Sequence, residues 1–92
     1  MSNEIVVWHF AANTLRDGSP LPAAGTVMPY RHPVPCSSGW HGSVNIVDAL
    51  KYAPGTMLAR RRLAGEIIPH GDPVDKYCAS SCVYLTGYAD AT

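Results

Sequence analysis

Stretches rich in proline and glycine interrupt this chain so often that only short regular elements fit between them. The longest covers residues 13–25, three prolines (Pro29, Pro33 and Pro35) follow closely, and residues 69–73 form another. Residues of these types supply turn conformations, and proline removes amide donors from hydrogen-bond ladders. We therefore expect long exposed connections, with residues 26–30 forming at most an edge strand or an irregular arm.

Three segments have the composition or the alternation of β-strands. Residues 4–10 concentrate β-branched and aromatic side chains, and residues 82–88 repeat that composition near the end of the chain. Residues 56–63 alternate loosely and carry three consecutive arginines. Gly65 predicts a bulge or bend before an extended run resumes at residues 66–68.

One segment has helical periodicity. Ile46, Ala49, Leu50 and Ala53 are spaced i, i+3, i+4 and i+7, which predicts one apolar stripe on a helix that begins near Ser43. The Pro54-Gly55 pair ends it. The order of strand, loop, helix and strands predicts an α+β fold, in which one main helix packs on one face of a small antiparallel or mixed sheet.

Size and charge narrow the class further. The 92 residues fit one domain, spanning residues 1–92. Seven Lys and Arg balance seven Asp and Glu, so no overall electrostatic field favours nucleic acid or an anionic membrane.

No apolar segment approaches the roughly 20 residues that span a bilayer. The odd set of cysteines (Cys36, Cys78 and Cys82) is typical of a reducing compartment. We predict a cytoplasmic protein.

The segment Cys36-Ser37-Ser38-Gly39-Trp40-His41 places a thiol, hydroxyls and an imidazole just before the predicted helix. It could bind an anion at the helix start, or it could be a capping turn anchored by a buried tryptophan. Zinc ligation by Cys36, His41, Cys78 and Cys82 has unfavourable spacing. Cys36, His41 and Asp48 have the residue types of a nucleophilic triad without evidence of its geometry. We predict no catalytic residue, no metal and no cofactor.

The arginine triplet is the other candidate site. On a strand it splits across two faces, so Arg60 and Arg62 would act together, joined by Arg31 or Arg16. Guanidinium groups form bidentate bonds with phosphates and carboxylates, which would suit a nucleic-acid backbone or an acidic protein surface. The alternative is a solvated or ion-paired strand edge.

Four segments carry a resemblance to a known family. They are T-L-R-D-G-S-P-L-P (residues 14–22), C-S-S-G-W-H (residues 36–41), D-A-L-K-Y-A-P-G (residues 48–55) and G-E-I-I-P-H-G-D-P-V-D-K-Y (residues 65–77). Together they resemble an uncharacterised domain family found in phages, prophages and bacteria. Where that family typically continues with a basic run, this chain has Ser80, Ser81, Cys82 and Val83.

The resemblance implies a protein of a mobile element, a class that includes inhibitors of host defence such as anti-CRISPR proteins. We therefore expect a phage inhibitor that binds a bacterial protein or ribonucleoprotein, including a CRISPR effector complex, in the host cytoplasm, and that blocks nucleic-acid access. Tryptophan, tyrosine and arginine are enriched among interface anchors. The predicted partner-binding residues are Arg60, Arg62, Arg31, Trp40 and His41.

Two other functions stay open. One is a small ADP-ribosyltransferase-like enzyme, in which His9, Tyr52 and Glu66 would take the binding and catalytic roles. The other is a virion accessory protein.

Overall fold

The computed structural model describes residues 3–35 and 37–91. These residues form one short helix and five strands, labelled here in chain order as β1 (Glu4–Ala11), β2 (Trp40–Gly42), α1 (Ile46–Leu50), β3 (Met57–His70), β4 (Lys76–Tyr84) and β5 (Ala89–Asp90). The strands predicted at residues 4–10 and 56–63 are confirmed by β1 and β3. The last predicted strand is partly wrong, because β4 begins before residue 82 and ends at Tyr84.

All strand pairs are antiparallel, and the order in the sheet is β1-β3-β4-β2, with β5 pairing the start of β3 on the edge opposite β1. The sheet curls until its two outer strands meet. Trp8 on β1 donates its amide to the Ser43 carbonyl at 2.7 Å, and the Ser43 amide donates back to the Trp8 carbonyl at 3.1 Å. This pair of bonds joins the chain just after β2 to β1, so the apolar inner surface of the sheet closes on itself.

The prediction of an α+β fold with one main helix is wrong. The only helix among the described residues is five residues long, and only Ala49 within it is buried. The predicted stripe does not cover the sheet, because Ile46 and Leu50 are 40% and 60% exposed. A curled sheet buries its own inner face and leaves no face for a helix to cover. The β-branched residues Val44, Ile46 and Val47 also have weak helix propensity.

The core lies inside the curl. Along β3, Ala59, Arg61 and Leu63 are buried while the alternate residues are partly exposed, which is the period-two pattern of a strand with one inner face. The buried cluster also includes residues from the other strands and from the long connection after β1: Val7, Leu15, Trp40, Ala79, Cys82 and Tyr84. The core therefore contains an arginine among apolar side chains.

The bulge predicted at Gly65 is confirmed. The register between β3 and β4 shifts between Ala64 and Ile67, and Gly65 has a φ of +79°, which L side chains rarely adopt. The Glu66 amide donates to Ser80 Oγ at 3.0 Å and so satisfies a group that the bulge removes from the ladder.

The long connection between β1 and β2 contains no named strand among its described residues. Within residues 26–30 there is one isolated bridge, between Val27 and Val83. Two backbone amides, those of Met28 and Arg31, donate to the carbonyls of Cys82 and Ser80 on β4 at 2.9 and 3.0 Å. This arm lies along the edge of β4 beyond the three residues of β2, and it brings Arg31 close to Trp40. In the part of the chain that the structure describes, no helix is long and apolar enough to cross a membrane.

Candidate anion-binding cleft

Arg61 is the centre of the candidate site. The arginine triplet lies on β3, where strand alternation turns its middle member inward, and Arg61 is only 2% exposed. Its Nε donates to the His41 carbonyl at 3.0 Å, Nη2 donates to the same oxygen, and Nη1 donates to Tyr84 Oη at 3.0 Å. These bonds hold the guanidinium between β2 and β4.

This buried cation has no carboxylate partner among the ion pairs of the described residues. Those pairs join Arg31 to Asp17, Lys51 to Asp48 and to Asp75, and Arg62 to Glu4. Charged groups are rarely buried without a counter-charge, because the loss of hydration costs several kcal/mol per ion. Neutral acceptors hold Arg61 in place, and the centres of the Trp40 and Tyr84 rings lie 5.8 and 5.6 Å from its guanidinium, but none of these groups carries a negative charge.

A chain of hydrogen bonds links Arg61 to His9. The hydroxyl oxygens of Tyr84 and Tyr88 lie 2.9 Å apart, and Tyr88 Oη lies 2.6 Å from His9 Nδ1. Because Arg61 only donates, every hydroxyl proton is used within this chain when Tyr84 donates to Tyr88 and Tyr88 donates to His9. That arrangement leaves the ring proton of His9 on Nε2, where it is a donor.

Both histidines of this region are neutral at physiological pH. Burial, together with the charge of Arg61, lowers the pKa of His9 well below its usual range. Burial lowers the pKa of His41 to about 4, with further contributions from the charges of Lys76, Arg61 and Arg16. Burial also raises the pKa of the Tyr88 hydroxyl, so that group stays protonated as well. The positive potential therefore comes from the arginines and the lysine.

The larger of two adjacent cavities, of about 600 Å³, lies between β1, the segment that follows it, and α1. One part of its wall is apolar, with Phe10, Ala11, Leu15 and Ala49. Another part is polar, with His9, His41, Arg16 and Lys76. None of the described residues that line this cavity carries a carboxylate.

The smaller cavity, of about 280 Å³, shares His9, Leu15, Arg16 and His41 with the larger one, so the two cavities adjoin at these residues. Arg61 and Arg31 line this second part, together with Asp17. Asp17 accepts two bonds from Ser19 and one from Arg31 at 2.9 Å, and these bonds lower its pKa to about 2. Its carboxylate is thus already occupied. We call the two cavities together the cationic cleft.

Three of the five predicted partner-binding residues come together at this cleft. The guanidinium of Arg31 lies 4.0 Å from the centre of the Trp40 ring, and His41 follows Trp40 on β2. Trp40 itself is 3% exposed and donates its indole N–H to the Pro29 carbonyl at 2.9 Å. It supports the cleft as a core residue, and Arg31 and His41 supply the polar surface.

The other two predicted residues lie on the opposite face of β3. The guanidinium of Arg60 stacks over Trp8, 4.1 Å from the centre of the ring, and Arg62 Nε is 3.5 Å from a Glu4 carboxylate oxygen. Strand alternation separates both from Arg61 and from the cleft. Their predicted role in partner binding stays a prediction.

The zinc and triad hypotheses depend on Cys36, which lies outside the described residues. Cys78 and Cys82 are buried free thiols, and burial raises the pKa of Cys82. Cys78 donates to the Ser38 carbonyl at 3.1 Å, and Asp48 pairs with Lys51 at 3.2 Å. Within residues 3–35 and 37–91, no group of three or more His, Cys, Asp or Glu side chains could hold a metal ion.

The three residues of the enzyme hypothesis are only partly assembled. His9 and Tyr52 both line the larger cavity, where the Tyr52 hydroxyl lies 2.9 Å from each carboxylate oxygen of Asp75. Glu66 lies at the bulge of β3, exposed, and does not line that cavity.

The sequence interpretation missed Arg61, Tyr84, Tyr88 and Lys76. Strand alternation separates Arg60 and Arg62 from Arg61, and the predicted site contains the outer pair instead of Arg61. The flanking residues Ala59 and Leu63 are small or apolar, and this marks the inner face on which Arg61 lies. The tyrosines give no comparable sequence pattern, because Tyr88 contacts His9 and Tyr84 contacts Arg61 across long stretches of the chain.

Acid is expected to destabilise the fold through His41. Its folded pKa of about 4 lies below the value of about 6.5 for an unfolded chain, so the unfolded state binds more protons between these pH values. The contribution of His41 to the free energy of unfolding should therefore be fully present above pH 6.5 and should decrease as the pH drops towards 4. For this partly exposed ring we expect a loss on the order of 2 kcal/mol.

Urea unfolding at pH 7, 5.5 and 4 measures this loss. His41→Gln should reduce the difference between pH 7 and pH 4, whereas His32→Gln, at an exposed position, should leave it unchanged. An identical pH dependence in wild type and His41→Gln would contradict the assignment.

The fold and the site together define a small antiparallel β protein with a donor-rich, cationic cleft over a buried arginine. The chain matches no protein-family model, no curated protein and no solved structure.

Proposed function

We propose that this protein is a binding domain that holds a phosphate-bearing ligand in the cationic cleft. The observation that supports this most is the buried guanidinium of Arg61, which lines the cleft and has no carboxylate partner among the described ion pairs. An anion entering the cleft would provide the missing counter-charge in a partly desolvated setting, where electrostatic interactions are strong.

The composition of the cleft favours phosphate over a carboxylate. Arg16, Arg61 and Lys76 contribute three positive charges to its walls, while Arg31 pairs with Asp17, the one carboxylate among the described lining residues. A single carboxylate is matched by one arginine, whereas phosphate carries up to two charges and several acceptor oxygens. The neutral imidazoles add donors without adding charge.

Reversing the charge of Arg16 tests the site. Arg16 is exposed and lines both cavities, so Arg16→Glu should weaken the binding of pyrophosphate about tenfold or more, because it converts an attraction into a repulsion. Isothermal titration at low ionic strength measures the change. The matched control is Arg62→Glu, which makes the same change of charge on the other face of β3 and should leave affinity within about twofold.

Pyrophosphate that does not bind the wild type would overturn the proposed function. Equal weakening by Arg16→Glu and Arg62→Glu would also overturn it, since a general effect of net charge would then account for the binding.

For the macromolecule that carries this phosphate, we keep the hypothesis that follows from the family resemblance. A phage inhibitor in the bacterial cytoplasm that binds a CRISPR-type ribonucleoprotein would meet phosphates on every nucleotide of the guide or target, and backbone phosphates dominate such affinity. Affinity purification from a defence-competent bacterium tests this proposal. The proposal requires that the wild type retains a defence ribonucleoprotein and that the Arg16→Glu variant does not. If expression of the protein had no effect on phage interference, the proposal would be contradicted.

The ADP-ribosyltransferase-like enzyme is a second candidate, and one observation favours it. His9 and Tyr52 line one cavity whose volume, about 600 Å³, is within the range of small-molecule sites. The exposed position of Glu66 at the bulge does not support a catalytic role. Glu66→Gln should accordingly leave cellular activity unchanged. Loss of cellular activity in this variant, together with NAD consumption by the wild type, would favour the enzyme.

A further inference from the structure

We infer that the larger cavity of the cationic cleft holds the nucleoside part of a nucleoside phosphate, with the phosphates in the smaller cavity. This inference rests on the proposed function and narrows the class of ligand. The nucleoside phosphate could be a free nucleotide or the terminal nucleotide of a nucleic acid, and both present the same chemistry to the cleft.

The division of the cleft into two chemical halves supports this assignment. The smaller part, of about 280 Å³, is lined by Arg31, Arg61 and Arg16 and is large enough for phosphate groups. The larger part, of about 600 Å³, has a volume typical of sites for drug-sized ligands, far more than phosphate groups occupy. A ligand that fills both must have an anionic end and a bulky, largely apolar body.

The walls of the larger cavity fit a heteroaromatic base and a sugar. Phe10, Ala11, Leu15 and Ala49 supply apolar surface, while Ser43 and Tyr52 lie among them and carry polar groups. A base and a ribose present hydrogen-bonding edges to the Ser43 hydroxyl and to the Tyr52 hydroxyl, which already binds Asp75, whereas a purely apolar body presents none. A phenyl phosphate such as phosphotyrosine has no such edges and a smaller ring.

The residues shared by the two cavities lie where the sugar and the first phosphate would meet. His9, His41 and Arg16 line both parts. In the tautomer of His9 in which Tyr88 donates to Nδ1, His9 carries a donor on Nε2, and Arg16 adds guanidinium donors. The junction is thus rich in donors, which matches the acceptor oxygens of an ester-linked phosphate.

The decisive experiment compares affinities for parts and wholes of the ligand. Trp8 lines the larger cavity and Trp40 the smaller one, so intrinsic fluorescence and calorimetry both report binding. We expect adenosine diphosphate or uridine diphosphate to bind at least about tenfold tighter than pyrophosphate, adenosine or phosphotyrosine, because only the nucleotides fill both cavities.

A variant that fills the larger cavity supplies the control. Ala12 is exposed and lines this cavity, so Ala12→Trp should remove the advantage of the nucleotides while pyrophosphate still binds. Ala23→Trp makes the same change at an exposed position that does not line the cavity and should change nothing. Thr14→Trp, also exposed and lining the cavity, repeats the test if Ala12→Trp fails to fold by circular dichroism.

The outcomes separate this inference from the proposed function. Pyrophosphate binding as tightly as the nucleotides, or phosphotyrosine binding as tightly, would overturn the inference and leave the phosphate site standing. Absence of all binding would overturn both. Tighter binding of 5′-phosphorylated hexauridylate than of uridine diphosphate would support the inference with a nucleic-acid end as the source, and the reverse order would support it with a free nucleotide.

Discussion

Replacing Arg61 with methionine is expected to weaken pyrophosphate binding about 100-fold. At an effective dielectric constant of about 20, a unit charge acts on another about 6 Å away with about 3 kcal/mol, which corresponds to about 100-fold in affinity. Titration of pyrophosphate into both proteins measures the change. Arg60→Met is the matched control, because it removes the neighbouring arginine on the opposite face of β3 and should leave affinity nearly unchanged.

The same substitution has a cost for folding that must be measured beside it. Methionine leaves the His41 carbonyl and the Tyr84 hydroxyl without the Arg61 donors, so the free energy of unfolding should fall by about 1–3 kcal/mol. The pKa of His9, followed by NMR, should rise in Arg61→Met but stay below its usual value, because burial is its largest cause. Unchanged pyrophosphate affinity in a folded Arg61→Met protein would show that the buried arginine does not contribute to binding.

Replacing Gly42 with alanine is expected to cause a large loss of stability. Gly42 is buried at the end of β2, where the sheet closes on β1, and a Cβ there would lie 2.7 Å from Val7 Cβ and 3.1 Å from the Trp8 carbonyl oxygen. Both neighbours belong to a strand that is paired along its whole length with β3. We expect a loss of about 3 kcal/mol and a Tm about 15 °C lower.

Gly87→Ala is the control for this prediction. A Cβ at Gly87 would lie 3.9 Å from the Ala24 amide nitrogen, which is ordinary van der Waals contact, so the stability of Gly87→Ala should stay within about 0.5 kcal/mol of wild type. Thermal unfolding followed by circular dichroism compares the three proteins. A Gly42→Ala protein as stable as Gly87→Ala would show that the contact between β1 and the end of β2 does not close the sheet.

β1 and the arginine-bearing part of β3 were predictable from local sequence, because their residues are β-branched, aromatic or alternating over a sufficient length, whereas β2, β5 and the first part of β4 were not. The position of β1, the arginine strand and the bulge at Gly65 all follow from such local patterns. The helix was not predictable in this way. The apolar spacing of Ile46, Ala49 and Leu50 has helical period, but whether a stripe is buried depends on how the sheet curls, and that is decided by the distant contact between Trp8 and Ser43.

The candidate site likewise has a part that was predictable from the sequence and a part that was not. Arg31, Trp40 and His41 were singled out from residue type, and the structure groups them because the arm after β1 follows the edge of β4. The contacts of Tyr84 and Tyr88 with His9 and Arg61 depend on tertiary packing that no local pattern encodes. Strand alternation separates Arg61 from Arg60 and Arg62, yet the burial of Arg61 and its lack of a carboxylate partner among the described ion pairs are visible only in the fold.

The central claim is that a phosphate anion binds in the cleft over Arg61. Its most direct test is an NMR titration of ¹⁵N-labelled protein with pyrophosphate at millimolar concentration, in which the shifted amides locate the ligand. We predict that the largest changes fall on Leu15, Arg16, Gly39 and His41, which line the smaller cavity. No change anywhere, or the largest changes on Val6, Arg62 and Val83 at the outer face of the sheet, would contradict the account.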